Sequence, residues 1–234
     1  MNSLISQIKK ICLNLSRKYN ELTIKKEDAL VVNFLNKIDT KDNNLYIEIG
    51  SGLGRFVKIV KSLDKFNISC LEINSNLAEE TTKLGYETMN VNLLNNIIPS
   101  NKFNIVHCSH VIEHIAYPQI TQALDELIRI TRKGGYIIIR SPLMSAEFFT
   151  CIDHIRPYPP KCIIDFYSNP QQQKTGDASI KIIKEKYRRE ALIIFPYSSN
   201  ISALIVNLIM KILWICFRFP HSRPNGYTLI LQKQ

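Results

Sequence analysis

The sequence predicts an α/β fold built on a doubly wound, mostly parallel sheet with helices on both faces. Three observations carry that expectation. Short apolar runs at 45–49, 68–73, 86–91, 103–109 and 135–141 alternate with helical stretches at 53–64, 75–84 and 118–132, as in strands joined by crossover helices. A glycine turn closes the first run, and an acid, Glu72, closes the second. At 234 residues, 45% apolar and 21% charged, the chain is sized for one substantial core.

Taking the elements in order, Ile5, Ile8, Cys12 and Leu15 recur at helical spacing, so residues 3–18 read as an amphipathic helix. It is expected to cap the ligand cleft, with residues 1–40 as a helical cap. Lys9 and Lys10 interrupt the apolar residues of any leader, so no signal peptide is expected. The first strand, Leu45–Ile49, runs into Gly50-Ser51-Gly52-Leu53-Gly54, and an amphipathic stretch opens at Arg55. Glycines at alternate positions supply φ freedom and bare backbone, which lets a ligand approach the N–H groups that open the next helix. Glu72 ends the second strand roughly twenty residues on, where a carboxylate can accept both hydroxyls of a ribose. The order is G-x-G-x-G, with Arg55 at the third glycine position of a dinucleotide fingerprint, and no Gly-Lys-Ser/Thr follows. Pyrophosphate and triphosphate loops are therefore disfavoured.

The third and fourth runs end at Asn92 and at Ser109–His114. Ligands of open parallel sheets bind beyond the carboxyl ends of the strands, so the glycine turn, Glu72, Asn92 and Ser109–His114 share one rim. Beyond Pro142 the pattern loosens, with Ala191–Phe195 as a candidate sixth strand and Tyr227–Leu231 as the last. Between them, 201–219 is apolar nearly all round, broken by a thin polar stripe of Asn207, Lys211 and Arg218. A buried or dimer-forming helix is the first expectation and a membrane-surface helix the second. A central Lys costs a spanning helix about 2.5–3.5 kcal/mol.

Four segments in order resemble the class I S-adenosylmethionine-dependent methyltransferases. Glu48-Ile49-Gly50-Ser51-Gly52-Leu53-Gly54 is similar to the family's E/D-x-G-x-G-x-G motif, and Glu72 in Leu71-Glu72-Ile73-Asn74 to its second. Phe103-Asn104-Ile105-Val106 with Ile112-Glu113-His114 resembles the fourth strand and its E-H pair, and Leu127–Ile139 the stretch that leads through Gly134-Gly135 into the fifth. The resemblance covers about 45–142. It implies a Rossmann-like, seven-stranded sheet whose last strand is antiparallel, in a methyltransferase domain over 41–234. That domain would hold an acceptor-side insertion about 142–190 and an apolar helix about 200–219. It further implies S-adenosyl-L-methionine as cofactor, held by Glu48, Gly50, Ser51, Gly52, Gly54, Glu72, Ile73, Asn92, Ser109 and His114. Two positions depart from the pattern: Asn104 stands where Asp is usual, and Asn92 where an acid contacts the adenine amine. Asn retains an acceptor oxygen for that amine but lacks charge assistance.

Methyl transfer from a sulfonium is an in-line displacement, so alignment of two bound molecules is the protein's main task. An acceptor proton must also leave, and histidine suits that work. His154 is the first choice, followed by His110, with Tyr158 and Arg156 orienting the acceptor and Asp153 near the imidazole. His110 and His114 stand four apart, but no third ligand is marked, so no metal is expected. No N/D-P-P-Y/F or Pro-Cys motif is present, which disfavours a nucleic-acid acceptor despite a net charge of +10. From Gln171 onward ten Lys or Arg face three acids, clustered at Lys181, Lys184, Lys186, Arg188 and Arg189; a solvated helix face is the default reading. Six cysteines without a C-x-x-C pair fit a reducing cytoplasm, with peripheral membrane association through 201–219 as an addition. The expectation is methyl transfer to a small-molecule acceptor, on oxygen, tilted toward an amphiphilic or lipid-linked one such as a quinone, lipid or glycan precursor. An RNA methyltransferase and a catalytically silent cofactor-binding or membrane-docking module remain the alternatives.

Overall fold

A computed structural model describes residues 2–39, 44–168, 180–220 and 223–234. Strands β1 (Leu45–Ile49), β2 (Asn67–Leu71), β3 (Glu87–Met89), β4 (Phe103–Ser109), β5 (Thr131–Pro142), β6 (Ile180–Arg188) and β7 (Gly226–Lys233) form one sheet. Its order is β3-β2-β1-β4-β5-β7-β6. The first five strands pair parallel, and β7 inserts antiparallel between β5 and β6. This is the doubly wound, mostly parallel sheet expected, with the last strand reversed.

The central strands are buried on both faces because the alternating side chains of each strand feed two separate cores. On one side Ile47, Ile49, Val106, Cys108, Ile137 and Ile139 pack with α4 (Gln119–Ile130) and α5 (Pro160–Ser168). On the other, Tyr46, Ile105, Ile138 and Ile230 meet Val31 and Leu35 of α1 (Asn2–Asn36) and Phe56 and Val60 of α2 (Arg55–Lys61). Helix α3 (Ser75–Lys83) begins at Asn74, whose side chain accepts the N–H groups of Asn76 and Leu77, a standard N-cap.

Asn104 has a structural role. Its Oδ1 accepts the Leu45 N–H at 3.1 Å and its Nδ2 donates to Asn44 Oδ1 at 2.7 Å, pinning the start of β1. An ionised Asp has no donor for the second bond.

Three expectations change. The sixth strand is Ile180–Arg188, not Ala191–Phe195. Asn207 bonds the N–H groups of Ile194 and Phe195 and the carbonyl of Phe195, so that apolar run is stapled to α6 (Ile201–Phe217) and is unavailable to a sheet. The basic run is no helix face either: Lys181, Lys184, Lys186 and Arg188 lie on the edge strand β6, where charge discourages pairing with another chain. The N-terminal helix runs on to Asn36 as one element. Within the expected insertion, α5 forms at Pro160–Ser168, while 169–179 lie outside the described residues, as does residue 40 at the cap boundary.

Glu27 and Asp28 of α1 clamp it to the sheet. Fully buried Arg140 reaches Asp28 at 2.9 Å and Glu27 at 3.1 Å, Arg188 meets Glu27 at 2.9 Å, and Arg55 pairs with Asp28. Burial pushes the Glu27 carboxyl up, but Arg140 and Arg188 outweigh it and hold the group below its ordinary range. Asp28 behaves likewise, with Arg55 and Arg140 overcoming burial.

Candidate functional site

At the carboxyl ends of β1, β2 and β4 a cleft of about 760 Å³ opens, within the range of small-molecule sites. Gly50, Gly52, Glu72, Ile73, Asn92, His110 and His114 line it, with Leu77, Val111, Gln119, Asp153 and Ile155 among the rest. Among the described residues none of α1 lines it; that helix packs on α6 and α2 instead.

The loop geometry follows from its glycines. Gly50, Gly52 and Gly54 all have positive φ, at 71°, 53° and 70°. Gly50 also lies against Val111, whose Cγ2 would be 2.3 Å from an added Cβ. The Gly50 N–H donates to the Leu71 carbonyl, tying the turn to β2. Thr81 of α3 donates its hydroxyl to the Gly52 carbonyl at 3.0 Å and lies 3.4 Å from the buried Ser51 hydroxyl.

Glu72 faces the loop. Its Oε2 accepts the Gly52 N–H at 2.8 Å and its Oε1 the Asn74 N–H at 3.0 Å, with the side chain almost fully buried. Each carboxylate oxygen keeps a further lone pair for a ligand hydroxyl. Asn92 caps a short 3-10 turn, accepting the Leu94 N–H, and remains at the cleft wall.

Six expected site residues do not line the cleft; Ser51 and Gly54 stay within the glycine turn beside it, and the other four lie elsewhere. Glu48 points to the opposite face, where its carboxylate accepts the Tyr46 hydroxyl and sits 2.9 Å from His107 Nδ1. Tyr46 is in turn 2.8 Å from that nitrogen. The triad is sealed from the cleft: burial first, then the Glu48 charge, drives the Tyr46 hydroxyl well above its ordinary range. Tyr158 is buried too, donating to the Ile115 carbonyl at 2.7 Å while its own carbonyl accepts Tyr227; it braces the cleft wall from behind. Ser109 at the end of β4 and His154 do not line the cleft. The His154 ring lies against Phe148, with Nδ1 2.9 Å from the Phe148 carbonyl.

His110 is at the cleft with a φ of 57° and its Nδ1 3.1 Å from Oε1 of Glu113. Glu113 has no solvent exposure and also accepts the Ser141 hydroxyl at 3.1 Å. Sequence spacing paired His114 with His110 and left that pair without a third ligand; a different set of three, without His110, forms around His114. Residues 151–156 fold against the turn Ile112–His114, where the Ile155 and Arg156 N–H groups donate to the Glu113 carbonyl. Glu113, His114 and His154 thereby offer one ligand atom each, all within 4.8 Å of one another.

Residues 47–139 match a family model described as a methyltransferase domain. An uncharacterized protein of Methanocaldococcus jannaschii is 31% identical over 119 residues, 49% of this chain and 50% of that protein; the chain thus spans about half the length of this curated relative. Among solved structures, a SAM-dependent methyltransferase from Archaeoglobus fulgidus superposes with a TM-score of 0.58 at 18% identity, covering 90% of this chain and 94% of that one. The YcgJ protein from Bacillus subtilis gives 0.60 at 10%, covering 89% and 98%. The cyclase SpnF gives 0.57 at 10%, covering 88% and 81%. Likeness at that identity concerns the fold, and folds host many chemistries.

Proposed function

We propose, on the premise that residues 47–139 form a class I S-adenosylmethionine-dependent methyltransferase domain, that this chain transfers a methyl group to an oxygen of a small, amphiphilic acceptor. The observation that carries the reading is the Glu72 carboxylate, turned onto the Gly52 N–H across the mouth of the cleft.

The residues present fit the cofactor. Glu72 is nearly buried yet keeps lone pairs toward the cleft, matching the paired hydroxyls of a ribose. Open space stands beside Gly52, where an added Cβ would meet nothing within 4 Å. Asn92 borders the same space on the adenine side of the reading. When bound, S-adenosylmethionine supplies an electrophilic methyl group on a sulfonium. The chain's own work is then to hold the acceptor and take its proton. His110 replaces His154 as our choice for that proton. Buried Glu113 beside Nδ1 favours the tautomer that donates there, which leaves Nε2 free to accept from the cleft side.

Helix α6 supports the amphiphilic acceptor. Of its polar stripe, Asn207 and Lys211 are buried, with Lys211 Nζ 5.2 Å from the Tyr19 ring centre, while Arg218 just beyond its end is exposed. Ile205, Ile209, Ile212, Ile215 and Phe217 face out. Such an inverted helix presents apolar area to a lipid surface, although no helix among the described residues is long and apolar enough to cross a membrane.

Isothermal titration with S-adenosylhomocysteine tests the core of the reading: the wild type binds, and Glu72→Ala binds at least about tenfold more weakly, about 1.4 kcal/mol. A wild type that does not bind removes the proposal. For α6, Ile209→Glu and Ile212→Glu, both at half-exposed sites, are expected to fold normally and to lose co-sedimentation with phosphatidylglycerol vesicles. Undiminished co-sedimentation would eliminate the lipid-facing role.

A further inference from the structure

We infer that Glu113, His114 and His154 form a binding site for one divalent transition-metal cation at the wall of the cleft. Three features on separate stretches of chain converge on it. First, the ligand atoms already lie within 4.8 Å of one another. Donors sharing one cation sit about 3–4 Å apart at bond lengths near 2.1 Å, so an inward shift of about 1 Å completes the set.

Second, both imidazoles are held by backbone carbonyls through the same nitrogen. His114 Nδ1 is 3.0 Å from the Asp153 carbonyl and 3.3 Å from its carboxylate, and His154 Nδ1 is 2.9 Å from the Phe148 carbonyl. A nitrogen facing a carbonyl must carry the proton, so Nε2 of each ring presents its lone pair. That is how metal-ligating histidines are oriented by their outer partners. The rings are 4.9 Å apart, centre to centre.

Third, Glu113 is fully buried, and among the described residues its carboxylate accepts the neutral Ser141 hydroxyl and lies 3.1 Å from His110 Nδ1. Its burial is readily explained by a cation that completes its shell, since buried carboxylates are expected to be paired. Two imidazoles and one carboxylate favour Mn²⁺, Co²⁺ or Zn²⁺ over Mg²⁺, which prefers oxygen donors.

Three protein ligands leave coordination positions open, and His114 borders the cleft. Those positions suit an oxygen donor of the acceptor, a hydroxyl above all. This role in fixing the acceptor rests on the methyl-transfer reading; the cation site does not.

The test uses the full chain after chelator treatment, titrated with Co²⁺ under visible absorption and with Mg²⁺ as comparator, alongside His114→Gln and His154→Gln. Both rings are half-exposed, and circular dichroism verifies that each variant folds. The expected result is one Co²⁺ per wild-type chain, affinity lower by about 10–100-fold in each variant, and much weaker Mg²⁺ binding. Substoichiometric Co²⁺ in the wild type, or wild-type affinity in both variants, would overturn the inference. Titration with S-adenosylhomocysteine in parallel reports on the cofactor reading separately, because Glu72→Ala is expected to lose that ligand while retaining Co²⁺.

Discussion

Replacing Gly50 by Ala would place a Cβ 2.3 Å from Val111 Cγ2 at a φ of 71°, whereas the same change at Gly52 meets nothing within 4 Å at a φ of 53°. The pair separates two reasons for glycine in one loop. Left-handed backbone costs a residue with a Cβ about 1–2 kcal/mol, and this applies at both positions. At Gly50 overpacking adds about 1–3 kcal/mol, kept toward the low end if the Val111 side chain rotates. Gly50→Ala is therefore expected to lose about 2–5 kcal/mol, lowering Tm by about 4–20 °C for a chain of this size. Gly52→Ala should lose only about 1–2 kcal/mol, yet its methyl enters the cleft and should weaken S-adenosylhomocysteine at least about tenfold. Urea unfolding gives the first quantity and isothermal titration the second. Equal stability loss in the two variants would refute the Val111 contact as the reason for Gly50. Undiminished affinity in Gly52→Ala would place the ligand away from the loop.

Two further outcomes follow from the buried polar groups. The carboxyls of Glu27 and Asp28 are held below their ordinary values of 4.5 and 3.8, so their contribution is complete above those values and disappears as pH falls through the lower folded ones. Arg140→Met should cost about 3–5 kcal/mol at neutral pH and flatten the acid limb of stability below the ordinary carboxyl value of 4.5; an unchanged slope in urea midpoints would contradict this. Tyr158→Phe leaves the Ile115 carbonyl without its 2.7 Å donor, which should cost about 1–3 kcal/mol of stability with kcat unaltered at permissive temperature. A collapse of kcat in folded protein would return Tyr158 to the chemistry.

Where local pattern and tertiary demand agreed, the sequence was readable. β1, its glycine turn and β2 combine unbroken apolar runs with positions that require positive φ, and Glu72 then falls on the rim by spacing alone. The edge of the sheet was not readable, because β6 has one neighbour and carries Lys181, Lys184 and Lys186, so neither alternation nor a buried run marks it. The more apolar Ala191–Phe195 attracted the assignment, yet its backbone needs are met by one amide, Asn207 of α6. Glu48 shows a different limit. A motif fixes its place on β1 but not which face it serves, and strand alternation turns it toward Tyr46 and His107, away from Ile47 and Ile49.

The stretch 151–156 is where this chain adds most to a widely shared fold. Its path is set by two N–H groups on the Glu113 carbonyl and by Asp153 and Phe148 carbonyls on the two imidazoles. Those contacts make His114 and His154 neighbours although 40 residues separate them in the chain. They also engage His154 Nδ1 with the Phe148 carbonyl, outside the residues that line the cleft. A histidine fixed through Nδ1, beside a buried carboxylate and a second histidine fixed the same way, is arranged to offer its lone pair to a cation. On the proposed reading the acceptor proton falls to His110, the imidazole that faces the cleft with a carboxylate at its back.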